Sequence, residues 1–197
     1  MADAAAARAL VTSWPDAAER LATHYWPGPL TLVLPAGPRV PRRATAGLDA
    51  VGLRVPSHPV ALALLRAAGV PVAAPSANRS TQLSPTSATH VERGLGDRVD
   101  LLLDGGDTDL GIESTVVDLT GPQPVLLRPG LITREELELL VGRVALAPPQ
   151  AGTVPRRSPG QFARHYAPRG ELQVVPTVEL LERVALAHGD DLGVLVR

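Results

Sequence analysis

The sequence predicts an α/β protein, because apolar runs of strand length alternate with helix-forming segments along the chain. The clearest example is residues 70–86, VPVAAPSANRSTQLSPT, where an apolar run breaks at Pro75 and small polar residues follow. A helix is predicted to begin at Ser84 and Pro85, directly after them. Ligands in α/β sheets bind beyond strand ends and near helix N-termini, so this stretch is a candidate anion site. An ordinary polar turn before a capped helix is the alternative interpretation.

The first elements of the chain follow from propensity and from helix-breaking residues. Residues 2–13 are rich in alanine and helix-prone, although no capping signal precedes them. A second helix is predicted over residues 16–25, because apolar side chains four apart share one face and WPGP ends it. TLVL at 31–34 is typical of a buried strand. The proline- and arginine-rich segment 35–47 is then predicted to be an exposed loop.

The next strand is predicted at 51–55, VGLRV, and it contains a charge in an otherwise apolar run. Buried inside the strand, Arg54 would need a partner, because an unpaired guanidinium is too costly to bury. A salt bridge at the exposed end of the strand is the alternative. The apolar segment 58–68 predicts a helix that Gly69 ends. DLLLD at 100–104 predicts a core strand that leads into a tight turn.

Residues 115–119 and 124–127 are predicted to form an antiparallel hairpin around a Gly-Pro turn. Ser114 precedes the first strand of this hairpin, and Arg128 ends the second. The two residues are therefore expected to lie side by side at one edge of the sheet. A hydroxyl next to a guanidinium is suited to gripping a phosphate group.

A helix over residues 133–141 is predicted to close the first domain. Thr133 and Glu136 have the spacing of a capping box, in which each side chain satisfies a backbone N–H of the other residue. The capping interpretation is purely structural. The first domain is predicted to span residues 1–146.

A linker is predicted at residues 147–170, because the segment is rich in proline and glycine and poor in apolar side chains. It nevertheless carries His165 and Tyr166, which could pack back over a site; a passive spacer is the alternative. Residues 171–197 are expected to form strand, helix and strand, the opening of a second small α/β domain. Both ends of the chain are expected to have been cut from a longer protein.

Composition excludes several classes of function. The net charge of −1 argues against a surface that coats nucleic acid, although a local arginine patch could contact RNA phosphates. The absence of cysteine excludes disulfides and thiolate zinc sites. No apolar run reaches the roughly 18 residues of a membrane span, so we expect a cytoplasmic protein without a membrane partner. All nineteen basic side chains are arginine.

Five motifs in this order resemble the L-threonylcarbamoyladenylate synthases, the YrdC-like family, in their long two-domain form. They are HYWPGPLTLVL (24–34), VGLRVPSHP (51–59), APSANRS with LSPT (74–86), GIESTVVDL with LLRPG (111–130), and SPGQFARHYAP (158–168). Each motif alone is weakly specific, whereas the ordered set is highly specific. The resemblance implies a YrdC-like twisted mixed sheet with flanking helices.

The resemblance also implies an activity, which is the formation of threonylcarbamoyl-AMP and pyrophosphate from L-threonine, bicarbonate and ATP. The product would supply N6-threonylcarbamoyladenosine at position 37 of tRNA, through a downstream threonylcarbamoyl-transfer machinery. Mg²⁺ would enter with ATP, and a weak contact with tRNA is a further expectation. A nucleotide- or RNA-binding module without catalysis is the alternative. The carbamoyl-transfer domain of hydrogenase-maturation proteins is a second rival, but the chain lacks the cysteine-rich zinc modules of that context.

Two sets of residues are implied by the resemblance to bind substrates. The residues implied to bind threonine are Arg54, Ala74 and Ser114. Those implied to bind ATP are Ala50, Ser76, Asn78, Ser84, Arg128 and Tyr166. No side-chain nucleophile is required, because positioning and charge neutralisation carry such a reaction.

The chain departs from the family at its front. Family members begin with a threonine-contacting strand and a KxR motif that grips the ATP phosphates, whereas this sequence contains no lysine. We therefore expect the 197-residue chain alone to form little threonylcarbamoyl-AMP.

Overall fold

The protein is described here by a computed structural model that covers residues 1–79 and 82–148. The helices in this part are α1 (Ala4–Arg8), α2 (Asp16–Tyr25), α3 (Pro59–Ala68), α4 (Ala88–Leu95) and α5 (Arg134–Val141). The strands are β1 (Leu30–Pro35), β2 (Ala50–Leu53), β3 (Thr115–Asp118), β4 (Val125–Arg128) and β5 (Ala145–Leu146). Short 3-10 turns lie at Arg42–Thr45 and Gly96–Arg98.

The strands form one mixed sheet in the order β2-β1-β3-β4-β5. The central β1 is antiparallel to β2 and parallel to β3, β3 is antiparallel to β4, and β4 is parallel to β5. This arrangement confirms the predicted mixed α/β sheet with flanking helices.

The main core lies on one face of β1. Leu30, Leu32 and Leu34 are fully buried there, and they pack with the apolar sides of α2 and α5, including Leu21 and Leu137. Each fully buried leucine contributes about 1.5 to 3 kcal/mol to stability. Since successive strand residues point to opposite faces, the two residues between these leucines face the other way.

Helices with clear local signals were predicted correctly. Helix α2 has the predicted bounds, and α3 is ended by Gly69, whose φ of 62° is in the left-handed region that glycine adopts freely. Helix α5 begins after a complete capping box formed by Thr133 and Glu136.

Two predictions about helix starts are wrong. The side chain of Asp3 caps α1 by accepting a hydrogen bond from Ala6 N at 2.7 Å, so a capping signal is present. Helix α4 is capped by Ser87, which accepts from His90 N, and not by Ser84. Ser84 lies four positions before the first residue of this helix, and its hydroxyl makes a contact elsewhere, described below.

The predicted strands at 70–74 and 100–104 are also wrong, since neither segment is a strand. Val70 is 60% exposed and Leu101 is 75% exposed. An apolar run favours a strand, but a strand also needs a neighbour with which to exchange backbone hydrogen bonds. Neither segment pairs with the sheet, which ends at β2 and β5 within the described residues.

No helix in the described ranges is both long enough and apolar enough to cross a bilayer. The linker was predicted at 147–170, and its residues from 149 onward lie outside the described residues. The predicted second domain at 171–197 lies wholly outside them. The three domain boundaries therefore stay predictions.

Candidate functional site

The mixed sheet brings four strand ends to one place. Parallel pairing of β1 with β3 sets Leu30 beside Thr115, the first residues of the two strands. Antiparallel pairing sets Leu53, the last residue of β2, beside β1, and Arg128, the last residue of β4, beside β3. The starts of two strands and the ends of two others therefore share one end of the sheet.

Ser114 and Arg128 meet at this end, as the hairpin predicts. The guanidinium of Arg128 donates from Nε to the backbone oxygen of Ser114 and from Nη2 to its Oγ, both at 3.0 Å. The Arg128 side chain is only 16% exposed. Its planar group is consequently fixed in orientation by two bonds to one neighbouring residue.

Thr31 is a member of the site that the sequence did not reveal. Its Oγ1 lies 2.9 Å from Ser114 Oγ, although the two residues are 83 positions apart. Thr31 alternates with the buried leucines of β1, so it lies on the opposite face of the sheet. The polar residue between Leu30 and Leu32 was the available signal.

Glu113 is a second member that sequence reasoning missed. Its carboxylate forms an ion pair with Arg128 Nη1, and its Oε1 accepts a hydrogen bond from Ser84 Oγ at 2.8 Å. This contact joins Ser84, which belongs to the candidate anion stretch, to the strand edge. We refer to Thr31, Ser84, Glu113, Ser114 and Arg128 as the Arg128 cluster.

Arg54 lies one residue beyond the end of β2 and is exposed to solvent. Protein atoms around its guanidinium nevertheless remove part of its hydration and lower its pKa below the usual value, and the positive charge of Arg128 lowers the pKa further. No acidic side chain of residues 1–79 or 82–148 forms an ion pair with Arg54. Arg54 is therefore not buried inside the strand but lies at its exposed end, as the alternative interpretation has it. The salt bridge expected there is not formed with any of the described residues.

The other predicted site residues are not connected to the Arg128 cluster by any hydrogen bond among the described residues. Ala50 is buried and packs with Val33 and Val116, while Ala74 and Ser76 are exposed. Tyr166 lies outside the described residues.

Asn78 bonds within its own loop. Its Nδ2 donates to the backbone oxygens of Arg79 at 2.8 Å and Gln82 at 2.9 Å, so the side chain closes the turn. Its Oδ1 is buried and has no hydrogen-bond partner among the described residues. The structure therefore gives Asn78 a structural role, and its predicted contact with ATP stays a prediction.

Two guanidinium groups and several hydroxyls thus lie at one end of a mixed sheet. Guanidinium groups bind carboxylates and phosphates through paired N–H donors, and their mutual repulsion is relieved by an anion. The fold and the site together define an α/β domain suited to small anionic substrates.

The chain belongs to the Sua5/YciO/YrdC family. The family model, described as "Telomere recombination", matches residues 1–130. The chain is 48% identical over 163 residues to the threonylcarbamoyl-AMP synthase of Pyrococcus abyssi, covering 82% of this chain and 48% of that protein. It is 45% identical over 162 residues to the Bacillus subtilis protein of the same name, covering 81% and 47%.

Solved structures agree with the family. The crystal structure of P. abyssi Sua5 complexed with L-threonine superposes with a TM-score of 0.87 at 43% identity, covering 93% of this chain and 55% of that one. The chain spans about half the length of the curated relatives it matches.

Proposed function

We propose that this chain is the part of a threonylcarbamoyl-AMP synthase that binds L-threonine and ATP and brings them together. The reaction converts L-threonine, bicarbonate and ATP into threonylcarbamoyl-AMP and pyrophosphate. The observation that carries the proposal is that Arg54, one residue beyond the end of β2, and Arg128, the last residue of β4, lie at the same end of the sheet. The positive charge of Arg128 also contributes to the lowered pKa of Arg54. A guanidinium binds a carboxylate or a phosphate through paired N–H donors. Relatives with 45% to 48% identity carry the synthase name.

The threonine half of the site is assigned to Arg54, Ser114 and Ala74. Arg54 is accessible and has no carboxylate partner among the described residues, so its guanidinium is suited to the carboxylate of threonine. The amine of threonine would take up carbon dioxide, formed from bicarbonate by loss of hydroxide, and lose a proton to give a carbamate, so that the two steps together release water. Ser114 lies between the two halves, because its Oγ contacts both Thr31 and Arg128.

The ATP half is assigned to Arg128 and Ser84, with the remaining predicted contacts at Ala50, Ser76, Asn78 and Tyr166. A carbamate oxygen would attack the α-phosphorus, and the bond to the departing pyrophosphate would break. Arg128 would neutralise charge on the phosphates, since it is held in place before the substrate arrives. No protein nucleophile takes part in this sequence.

Magnesium is proposed to enter with ATP, held mainly by phosphate oxygens and water. The described residues contain no group of three or more His, Cys, Asp or Glu side chains placed to hold a metal ion. Use of the product for position 37 of tRNA, a weak contact with tRNA, and a cytoplasmic location are parts of the same proposal.

Equilibrium binding tests the proposal without requiring turnover. Arg128→Ala should weaken binding of a non-hydrolysable ATP analogue about ten- to a hundredfold, which corresponds to roughly 1.5 to 3 kcal/mol. Arg54→Ala should weaken binding of L-threonine and leave nucleotide affinity within about twofold of wild type. Calorimetry measures both, with Arg134→Ala as the control, because Arg134 pairs with Glu138 on α5 and not with the Arg128 cluster.

The opposite pattern of losses would show that the two arginines are assigned the wrong way round. A wild-type chain that binds neither ligand would overturn the proposal. Activity is then measured as pyrophosphate release that requires ATP, L-threonine and bicarbonate together. Pyrophosphate release that continues without L-threonine would point to a different reaction.

A further inference from the structure

Glu113 contacts two of the proposed ATP-binding side chains, which come from different parts of the chain. Its Oε1 accepts from Ser84 Oγ at 2.8 Å, and its Oε2 pairs with Arg128 Nη1. Ser84 lies 29 positions before Glu113, and Arg128 lies 15 positions after it. A single carboxylate, only 22% exposed, therefore connects two segments that are distant in sequence at the same end of the sheet.

We propose that Glu113 is a positioning residue of the nucleotide site. It fixes the orientation of the Arg128 guanidinium and holds the segment that carries Ser84 against the sheet. This inference rests on the proposed function and deepens it, because it explains how two of the assigned ATP contacts are placed before the nucleotide binds.

The donor inventory of Arg128 favours positioning. A guanidinium has five N–H donors. Ser114 takes one from Nε and one from Nη2, and Glu113 takes one from Nη1. One N–H on each terminal nitrogen is then left to donate to phosphate oxygens.

The charge of Glu113 also has a role here. Arg54 and Arg128 are both positive, and the charge of Arg128 disfavours the protonated form of Arg54. A carboxylate next to Arg128 offsets this repulsion and keeps the guanidinium at the strand edge. Without it, the bonds of Arg128 among the described residues would be those to Ser114, and no anion would balance its charge there.

The test is Glu113→Gln, which preserves the size of the side chain and removes its charge. Binding of the magnesium complex of a non-hydrolysable ATP analogue should weaken about five- to tenfold, while binding of L-threonine stays within about twofold. Glu138→Gln is the matched control, since it removes the carboxylate of another Glu–Arg pair in the same domain. The control should leave both affinities unchanged.

Repeating Glu113→Gln in an Arg128→Ala background distinguishes a role through Arg128 from a general effect on the fold. If Glu113 acts through Arg128, Glu113→Gln should then change nucleotide affinity by less than about twofold, because Arg128 is gone and the new amide oxygen can still accept the hydrogen bond from Ser84. An undiminished loss in that background would overturn the inference. Tighter nucleotide binding by Glu113→Gln would also overturn it, because the carboxylate would then be competing with phosphate for Arg128.

A measurement without ligand separates this inference from the proposed function. The Nε–H of Arg128 is bonded to Ser114, so its exchange with solvent, followed by NMR and assigned by the loss of the signal in Arg128→Ala, reports how firmly the guanidinium is held. Glu113→Gln should speed this exchange, and Glu138→Gln should not. An unchanged exchange rate overturns the positioning role even if wild type binds the nucleotide. Failure of wild type to bind the nucleotide overturns the proposed function, and with it the nucleotide part of this inference.

Discussion

The Arg128 cluster should contribute measurably to folding stability, independently of any ligand. Arg128→Ala removes two hydrogen bonds to Ser114 and the ion pair with Glu113. Each hydrogen bond contributes about 1 kcal/mol net, and an ion pair that is partly open to water contributes about 1 kcal/mol. The expected loss is therefore about 3 kcal/mol in the free energy of unfolding.

A double-mutant cycle isolates the ion pair from this total. Arg128→Ala removes the Arg128 cation from beside the Glu113 carboxylate, which is 22% exposed, and Glu113→Ala removes the carboxylate from beside Arg128, which is 16% exposed. Removing both should cost about 1 kcal/mol less than the sum of the two single changes. Urea denaturation followed by circular dichroism measures all four proteins under one set of conditions.

The pair formed by Arg134 and Glu138 provides the control cycle. These residues are four positions apart on α5, and their side chains are 35% and 32% exposed, so their coupling should be weaker. A coupling between Glu113 and Arg128 no larger than that of the control would refute the reasoning. The two charges would then be solvated independently in solution.

The remaining predictions concern the correction to the strands, the capping box and the threonine pocket. Leu101→Ser should change the free energy of unfolding by less than about 0.5 kcal/mol. Leu32→Ala should lower it by about 2 to 5 kcal/mol in the same urea titration. Equal losses would show that residues 100–104 form a core strand after all. The pKa of Glu136 is lowered from 4.5, mainly by a hydrogen bond from the backbone N–H of Thr133 and then by one from the Thr133 hydroxyl. The ionised Glu136 carboxylate therefore stabilises the fold above pH 4.5, and this stabilisation is lost as the pH falls through the lowered pKa. The difference in urea midpoint between wild type and Glu136→Gln should accordingly decrease on acidification. A gap that does not depend on pH would show that the charge of the cap is unimportant. Thr31→Val, which removes the hydroxyl next to Ser114 at nearly constant volume, should weaken L-threonine binding about five- to tenfold in calorimetry, and unchanged binding would remove Thr31 from the pocket.

The sequence predicted those elements whose signals are local. The capping box of α5 involves two residues three positions apart, and the hairpin register follows from two short strands and the turn between them. Because that register was correct, the contact between Ser114 and Arg128 could be predicted as well. Local sequence patterns therefore predicted part of the site as well as part of the fold.

Contacts between distant segments could not be predicted in the same way. Thr31 and Ser114 are 83 positions apart, and nothing near either residue indicates the other. The apolar runs at 70–74 and 100–104 fail for the same reason, since their pattern indicates a strand but does not supply a partner. Ser84 was expected to cap a helix, yet its hydroxyl donates to Glu113, which the local sequence does not reveal.

The mixed topology explains why the site differs from that of a fully parallel sheet. In a parallel sheet, ligands bind where the carboxyl ends of the strands meet. Here β1 and β3 contribute their first residues, while β2 and β4 contribute their last, because each antiparallel pairing reverses the direction of the chain. Hydroxyls at strand starts, Thr31 and Ser114, are thereby placed with cations at strand ends, Arg54 and Arg128. Reversing either antiparallel pairing would carry its arginine to the far end of the sheet, so the pairing pattern itself determines that both cations share one site.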